Sequence, residues 1–490
     1  MGFIPGLLKN AVENNMPNKS FQTILTKLLS CFILCLIVIF NSSCQNRQNK
    51  HWLLADDIVN SIIIPSFADR DYLITDFGAI NDSTIDNRQS ILDAINKCNQ
   101  DGGGRVIIPQ GVWLTNGPIH LKSNVHLFLS DGARLEFGTE PADYLPEVIT
   151  RFEGTELYNY SPLIYAYQVT NIAITGDGVI DGNGRESFVE WKHKQDNDKA
   201  ILRQMGNDGV PVYERVMGSG HFIRPSMIQP YGCTNILIEG ITLVDSPFWV
   251  IHPTFCTNVT IRGVTVDSWN YNNDGVDPDA CVNVLIEDCT FNCGDDAVAI
   301  KSGRDQDGWR NGQATENVVI RNCLMNSRAN GLCIGSEMSG SVRNVFMENC
   351  KIGEAASTIY FKSNLDRGGM IENVFVCNIT IERANAACIR FESNYKGHRG
   401  NYYPTLFRNF VIRDVTCKKA DHYGLYAVGI KGTPIQNILF ENLTIEEAAI
   451  PAFTRHVSDF TFSRVMINDS LITLLAEDDD YPVSPDELTW

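Results

Sequence analysis

A single phrase recurs along most of this chain: an asparagine, alternating aliphatic residues, a polar pair, then aliphatics again. It starts near residue 124, and three of its copies read TNILIEGITLVDS, TNVTIRGVTVDSW and VNVLIEDCTFNCG. Alternation at period two with β-branched residues signals short strands, and the Asn, Asp and Gly clusters between them signal turns. The leading asparagines stand at 235, 258, 283, 317, 344, 373, 409 and 437, with steps of 23, 25, 34, 27, 29, 36 and 28 residues. A constant motif with a variable step is how a solenoid is written, one rung per repeat with insertions on one side. Strands of neighbouring rungs would stack about 4.8 Å apart into parallel sheets, and the asparagines would form a side-chain ladder. The expected fold is all-β, a single-stranded right-handed parallel β-helix.

Two stretches break the phrase. Residues 84–98 carry Ile85, Ile91, Leu92 and Ile95 at helical spacing, with Asp86 as cap, which suits a helix closing the solenoid's open end. Residues 184–224 are polar and aromatic without alternation and read as a long loop able to wall a cleft. The first residues read as a targeting segment. Lys19 and Lys27 precede an apolar run of 13 residues from Leu28 to Phe40, too short to span a bilayer but suited to a signal peptide. Asn41-Ser42-Ser43 before Cys44 suggests lipoprotein processing, with ordinary signal cleavage as the alternative and Met16 as an alternative start. The expected organisation is a signal over 1–44, a tether over 45–70, the solenoid over 71–470 and an acidic tail over 471–490. That places the protein outside the cytoplasm, secreted or in the cell envelope, touching membrane only through a lipid at Cys44.

The net charge of −18 argues against nucleic acid, which needs a broad basic surface. An acidic ligand would instead need a local basic cluster, for which Lys301, Arg304, Arg310, Arg328, Arg343, Lys362 and Arg367 are available. The body contains no CxxC pair and no Cys/His cluster at zinc spacing, so no metal site is expected. Cys289, Cys323 and Cys350 each follow a repeated asparagine by six residues. Equal phase implies a stacked column, read as buried free thiols with disulfides second.

The chemistry concentrates in two windows, NNDGVDPDAC with Asp274 and CGDDAVAIKSG with Asp295 and Asp296. Asp274 and Asp295 are 21 residues apart, about one coil, so the carboxylates converge on one patch. Breaking a glycosidic bond usually takes two carboxyl groups, one to protonate the leaving oxygen and one to activate water or attack. Any one of these aspartates alone would be an ordinary turn residue. Three on adjacent coils, set in glycines and followed by Lys301, point to a site.

With these windows in place, residues 71 to 470 resemble the polygalacturonase family of glycoside hydrolases. DFGAINDSTIDNRQSILDAI is similar to the N-terminal block of the wider pectin-degrading group, NNDGVDPDAC to the family's Asn-x-Asp segment, and GDD to its paired aspartate. NGLCIGSEMSGSVRNV and IYFKSNLDRGG resemble the third and fourth blocks, with two departures. Asn330 stands where a histidine is usual, and Tyr360 where the arginine of Arg-x-Lys is usual. The resemblance implies Asp295 as general acid, and Asp274 and Asp296 holding the attacking water. It also implies inversion, with carboxyl groups roughly 6.5–9.5 Å apart, and Lys362 pairing a uronate. Arg304 and Arg343 would be secondary substrate contacts, Asn330 and Tyr360 would bond or stack, and no cofactor would be required. The implied substrate is an acidic plant polysaccharide, galacturonan or rhamnogalacturonan. A calcium-assisted β-eliminating lyase and a non-catalytic binding solenoid are the rivals, because fold alone does not decide function.

Overall fold

The structure, a computed structural model, describes residues 51–474. The expected signal and Cys44 lie outside these residues, as does the acidic tail from 475 onward. Contacts divide the chain at Asp56/Asp57. The described part of the first unit is helical, and that helix runs over 51–61, within the stretch expected as a tether. No helix among the described residues is long and apolar enough to cross a membrane.

The second unit is the expected right-handed parallel β-helix. Three strand columns run along it. Thr234–Glu239, Thr257–Arg262 and Val282–Glu287 pair in parallel in the first, and Thr242–Val244, Thr265–Ser268 and Thr290–Cys293 in the second. Val298–Ile300 and Asn330–Ile334 pair in the third. Toward the C-terminus the columns merge into unbroken strands such as Val342–Lys362 and Met370–Glu392. Inward residues such as Val259, Val284, Val318 and Val345 stack in one fully buried column, so each rung's core is continued by the next.

The ladder forms as the phrase implies. Ten asparagines, from Asn124 and Asn171 through Asn437, form one ladder, in which each after Asn124 donates a side-chain amide hydrogen bond to the preceding one. All ten sit in the left-handed region, with φ between 54° and 63°. Asparagine tolerates that conformation better than other side chains, which is why this turn repeats it. The cysteine columns also form, and every cysteine among the described residues is free.

The capping helix spans Arg88–Gln100, later than expected, and buries Ile91, Ala94, Ile95 and Cys98. Asn87 is its boundary residue, while Asp86 accepts from the Arg88 N–H at 2.9 Å. The 184–224 stretch is not a plain loop. It holds the helix Asp196–Asp208 (hereafter the insertion helix), which buries only Asp198, Leu202 and Gly206. So thin a buried stripe leaves little periodicity to read in the sequence.

Candidate active site

The three aspartates meet because the coils are in phase. Val276 bridges Val298, and Val298 pairs with Leu332, which pairs with Ile359. Counting two residues back on each coil places Asp274, Asp296, Asn330 and Ser357 in one row. Asp295 adjoins that row, and its Oδ1 accepts from the Asp296 N–H at 3.1 Å. Asp274, Asp295 and Asp296 each offer an oxygen within 4.8 Å of the others. This is closer than the spacing expected of an inverting pair, and the reason is the rung itself, because in-phase residues of adjacent coils are one strand spacing apart. Oxygens at that separation can share one water at about 2.8 Å from each.

Burial and crowding set the charges. Burial, then Asp296, pushes the Asp295 carboxyl up to about 6. Burial, then Asp277, holds Asp274 well above the ordinary carboxylate range. Asp277 is itself fully buried and raised by burial. Two lysines answer them from the other end of the same strands. The Lys301 ammonium lies 4.0 Å from Asp274 and 3.4 Å from Glu337, and donates to the Gly335 carbonyl at 2.9 Å. Lys362 lies 3.3 Å from Asp296. Burial alone would lower both ammonium groups, yet Glu337 and Asp296 respectively hold them above the ordinary lysine value. The three carboxylates could chelate a cation, but two of them already face these lysines. Gly335 is required here: φ is +98°, and a Cβ would meet the Lys362 carbonyl oxygen at 2.0 Å.

Two cavities flank the row. The smaller, of about 210 Å³, is lined by all three aspartates together with Arg203, Arg304 and Lys362. The larger, of about 430 Å³, is lined by Asp295 and Lys362 but not by Asp274 or Asp296. Asn330, Tyr360, Arg328, Arg390 and Lys396 complete much of its wall. Arg328 lies over the Trp269 ring and donates to its carbonyl, and neither it nor Lys396 has an ion-pair partner among the described residues.

The other expected residues divide. Asn330 donates to Asp296, so it supports a carboxylate as well as facing the larger cavity. Tyr360 lines that cavity too, but its hydroxyl is committed to Glu392. Arg304 reaches the smaller cavity already paired with Glu337 and Glu153. Arg367 is similarly held by Asp305. Arg343 is a correction: it pairs with Glu316 at 2.7 Å on the coil's flank and lines neither cavity. Arg310 likewise turns to Asp307 and Gly206. Sequence reasoning missed the walls of the smaller cavity. Glu153 sits beside Gly154 at the turn between the strands Val148–Phe152 and Thr155–Asn159, and Arg203 reaches across from the insertion helix to pair with it. Gly154 has φ +80°, and a Cβ there would come within 2.9 Å of the Arg304 nitrogen, so the turn fits only as glycine. No short motif marks these residues; only the insertion's position between repeats could have flagged them.

The model for glycosyl hydrolases family 28 matches residues 146–466. A "Probable polygalacturonase" of Vitis vinifera is 31% identical over 393 residues, covering 77% of this chain and 74% of its own. An "Exo-poly-alpha-D-galacturonosidase" of Dickeya chrysanthemi is 24% identical over 431 residues, with 81% and 70% covered. Among solved structures, a hyperthermoactive exopolygalacturonase from Thermotoga maritima superposes with a TM-score of 0.82 at 39% identity, covering 86% of this chain and 96% of that one.

Proposed function

Because the chain belongs to glycosyl hydrolases family 28, we propose that it hydrolyses α-galacturonosidic bonds of pectin, with Asp295 as general acid and Asp274 and Asp296 holding the attacking water. The observation that carries this reading is the partition of the aspartates. Asp295 lines both cavities, whereas the water-holding pair lines only the smaller one. The sugar that is attacked at its anomeric carbon therefore sits in the smaller cavity, and the leaving sugar sits in the larger. Protonation by Asp295 at the boundary releases the leaving oxygen as water adds from the Asp274/Asp296 side. A water attacking opposite the departing bond gives inversion; family membership supports this outcome, and the short carboxylate spacing does not.

Glu153 and Arg203 line the far side of the smaller cavity, and we read the attacked sugar there as the chain's non-reducing end. Both the Dickeya and the Thermotoga relatives are named as exo-acting. The larger cavity has the uncompensated cation Arg328, and Lys396, which lines both cavities, stands beside it, suited to the polyanion that continues from the cut. A wall polymer is met outside the cytoplasm, in keeping with a signal over 1–44 and a lipid at Cys44.

The test is product analysis on tetragalacturonate labelled at its reducing end. The expected first products are unlabelled monosaccharide and labelled trimer, saturated, with the inverted anomer appearing first by proton NMR. Activity should be indifferent to chelators. Internal cuts would overturn the exo reading, an unsaturated end would make the enzyme a lyase, and the retained anomer would remove the water mechanism. Cleavage of rhamnogalacturonan oligosaccharides alone would move the substrate within the same family.

A further inference from the structure

Arg224 lies in the inserted stretch and is not one of the basic residues marked by the family's blocks. The residue is about 1% exposed, yet it makes no ion pair among the described residues. Nε donates to Gln195 at 3.0 Å, one terminal nitrogen donates to the carbonyls of Pro247 and Tyr271, and the other donates to Asn272 Oδ1 at 2.6 Å. The group also lies 5.0 Å from the Phe248 ring. Burial lowers it to about 10. Burying a cation among neutral acceptors is costly, so the placement calls for a reason.

Asn272 supplies one. Its Nδ2 donates to Asp295 Oδ2 at 3.2 Å. A guanidinium has donors only, so the Asn272 carbonyl must face Arg224 and its amino group must face Asp295. The other oxygen of Asp295 receives the Asp296 N–H. Both neighbours are therefore donors, and neither can take the acid's proton. The proton is left to point into the cleft.

We propose that Arg224 is a positioning residue which, through Asn272, keeps the Asp295 proton available to the leaving oxygen. The proposal rests on the reading of Asp295 as the general acid. Without Arg224 the Asn272 amide can turn over, present its carbonyl to Asp295 and accept the proton that substrate needs. A turned amide also stabilises protonated Asp295 instead of its anion, and loss of the nearby cation acts in the same direction. The other titratable groups facing Asp295 are Asp296, Lys362, Lys301, Asp274, Asp277, Cys293 and Tyr395, and replacing Arg224 or Asn272 alters none of them.

The test is the pH dependence of kcat and KM for the full chain on oligogalacturonates. Arg224→Met should lower kcat roughly 10–100-fold, as loss of an orienting partner does, with KM little changed and the basic limb of kcat moved to higher pH. Arg224→Lys, which keeps donors and charge, should recover most of kcat and the wild-type limb. Asn272→Leu, which removes the donor to Asp295 and offers no carbonyl in its place, should also move the basic limb to higher pH, and the double variant should be no slower than Arg224→Met. A wild-type limb and a kcat within about twofold in Arg224→Met, or losses that multiply in the double variant, would overturn the relay. If Arg224→Met does not fold, Asn272→Leu decides, because an unmoved limb there overturns the proposal equally. Failure of the wild-type protein to cleave any galacturonan would instead remove the functional reading beneath it.

Discussion

The acid's environment makes the sharpest statements at the scale of single residues. Asp295→Asn keeps the shape and one of the two accepted hydrogen bonds, from Asn272 or from Asp296, but has no acidic proton to give, so turnover should fall about 10²–10⁴-fold. Retention of a tenth of the wild-type rate would refute the role. A general acid must enter protonated, and the Asp295 carboxyl is raised to about 6 by burial and Asp296. The rate of the Asp295/Asp296 pair should therefore fall as pH rises through that region, and a profile flat from acid to alkaline pH would contradict it. Lys362→Met should cost on the order of 2–5 kcal/mol in kcat/KM if it pairs a buried uronate. Because Lys362 also faces Asp296 at 3.3 Å, kcat should drop with binding, whereas a solvated lysine would leave both unchanged. The convergence of Asp274, Asp295, Asp296 and Lys362 was legible because coil phase and motif agree on it. Arg343 was misplaced because repeats put basic residues on flanks as readily as in clefts, and only the pairing with Glu316 tells them apart. Arg224 was invisible because its partners lie 23 to 48 residues away in sequence on other elements.

Among the elements, the asparagine turn is the part the sequence states most openly, since one residue type answers both the left-handed backbone and the ladder. Asn317 has φ +60° and bonds to asparagines on both sides. Asn317→Ala should lose about 2–4 kcal/mol, from two hydrogen bonds at about 1 kcal/mol each and a backbone strain of similar size. Asn317→Gly should recover the strain share but not the ladder share, as read by denaturant unfolding. Equal losses in the two variants would show that the conformation contributes nothing. The insertion helix was hidden for the opposite reason, because its contribution is a few contacts at a cleft wall and not a buried face. The thiols follow the ladder's logic. With every described cysteine free and most buried, a reductant should leave the melting temperature unchanged, and a drop would reveal bridged columns.

For the molecule as a whole, the site exists only where successive coils are stacked, since Asp274, Asp296, Asn330 and Lys362 come from separate rungs. A solenoid of nearly identical rungs carries a hazard that ordinary domains lack: a rung pairs about as well with the wrong neighbour as with the right one. The asparagine ladder cannot detect the mistake, because every rung offers the same amide. The buried ion pairs can. Arg151 meets Asp279 at 2.9 Å with both side chains at most 1% exposed, and Arg215 meets Asp307 at 2.9 Å under similar cover. Each joins segments more than 90 residues apart, and neither arginine has a second carboxylate partner among the described residues. A chain slipped by one coil would strand those charges in the interior at several kcal/mol apiece, while its asparagines stayed satisfied. These pairs thus serve as address marks that tell the folding chain how many turns it has made.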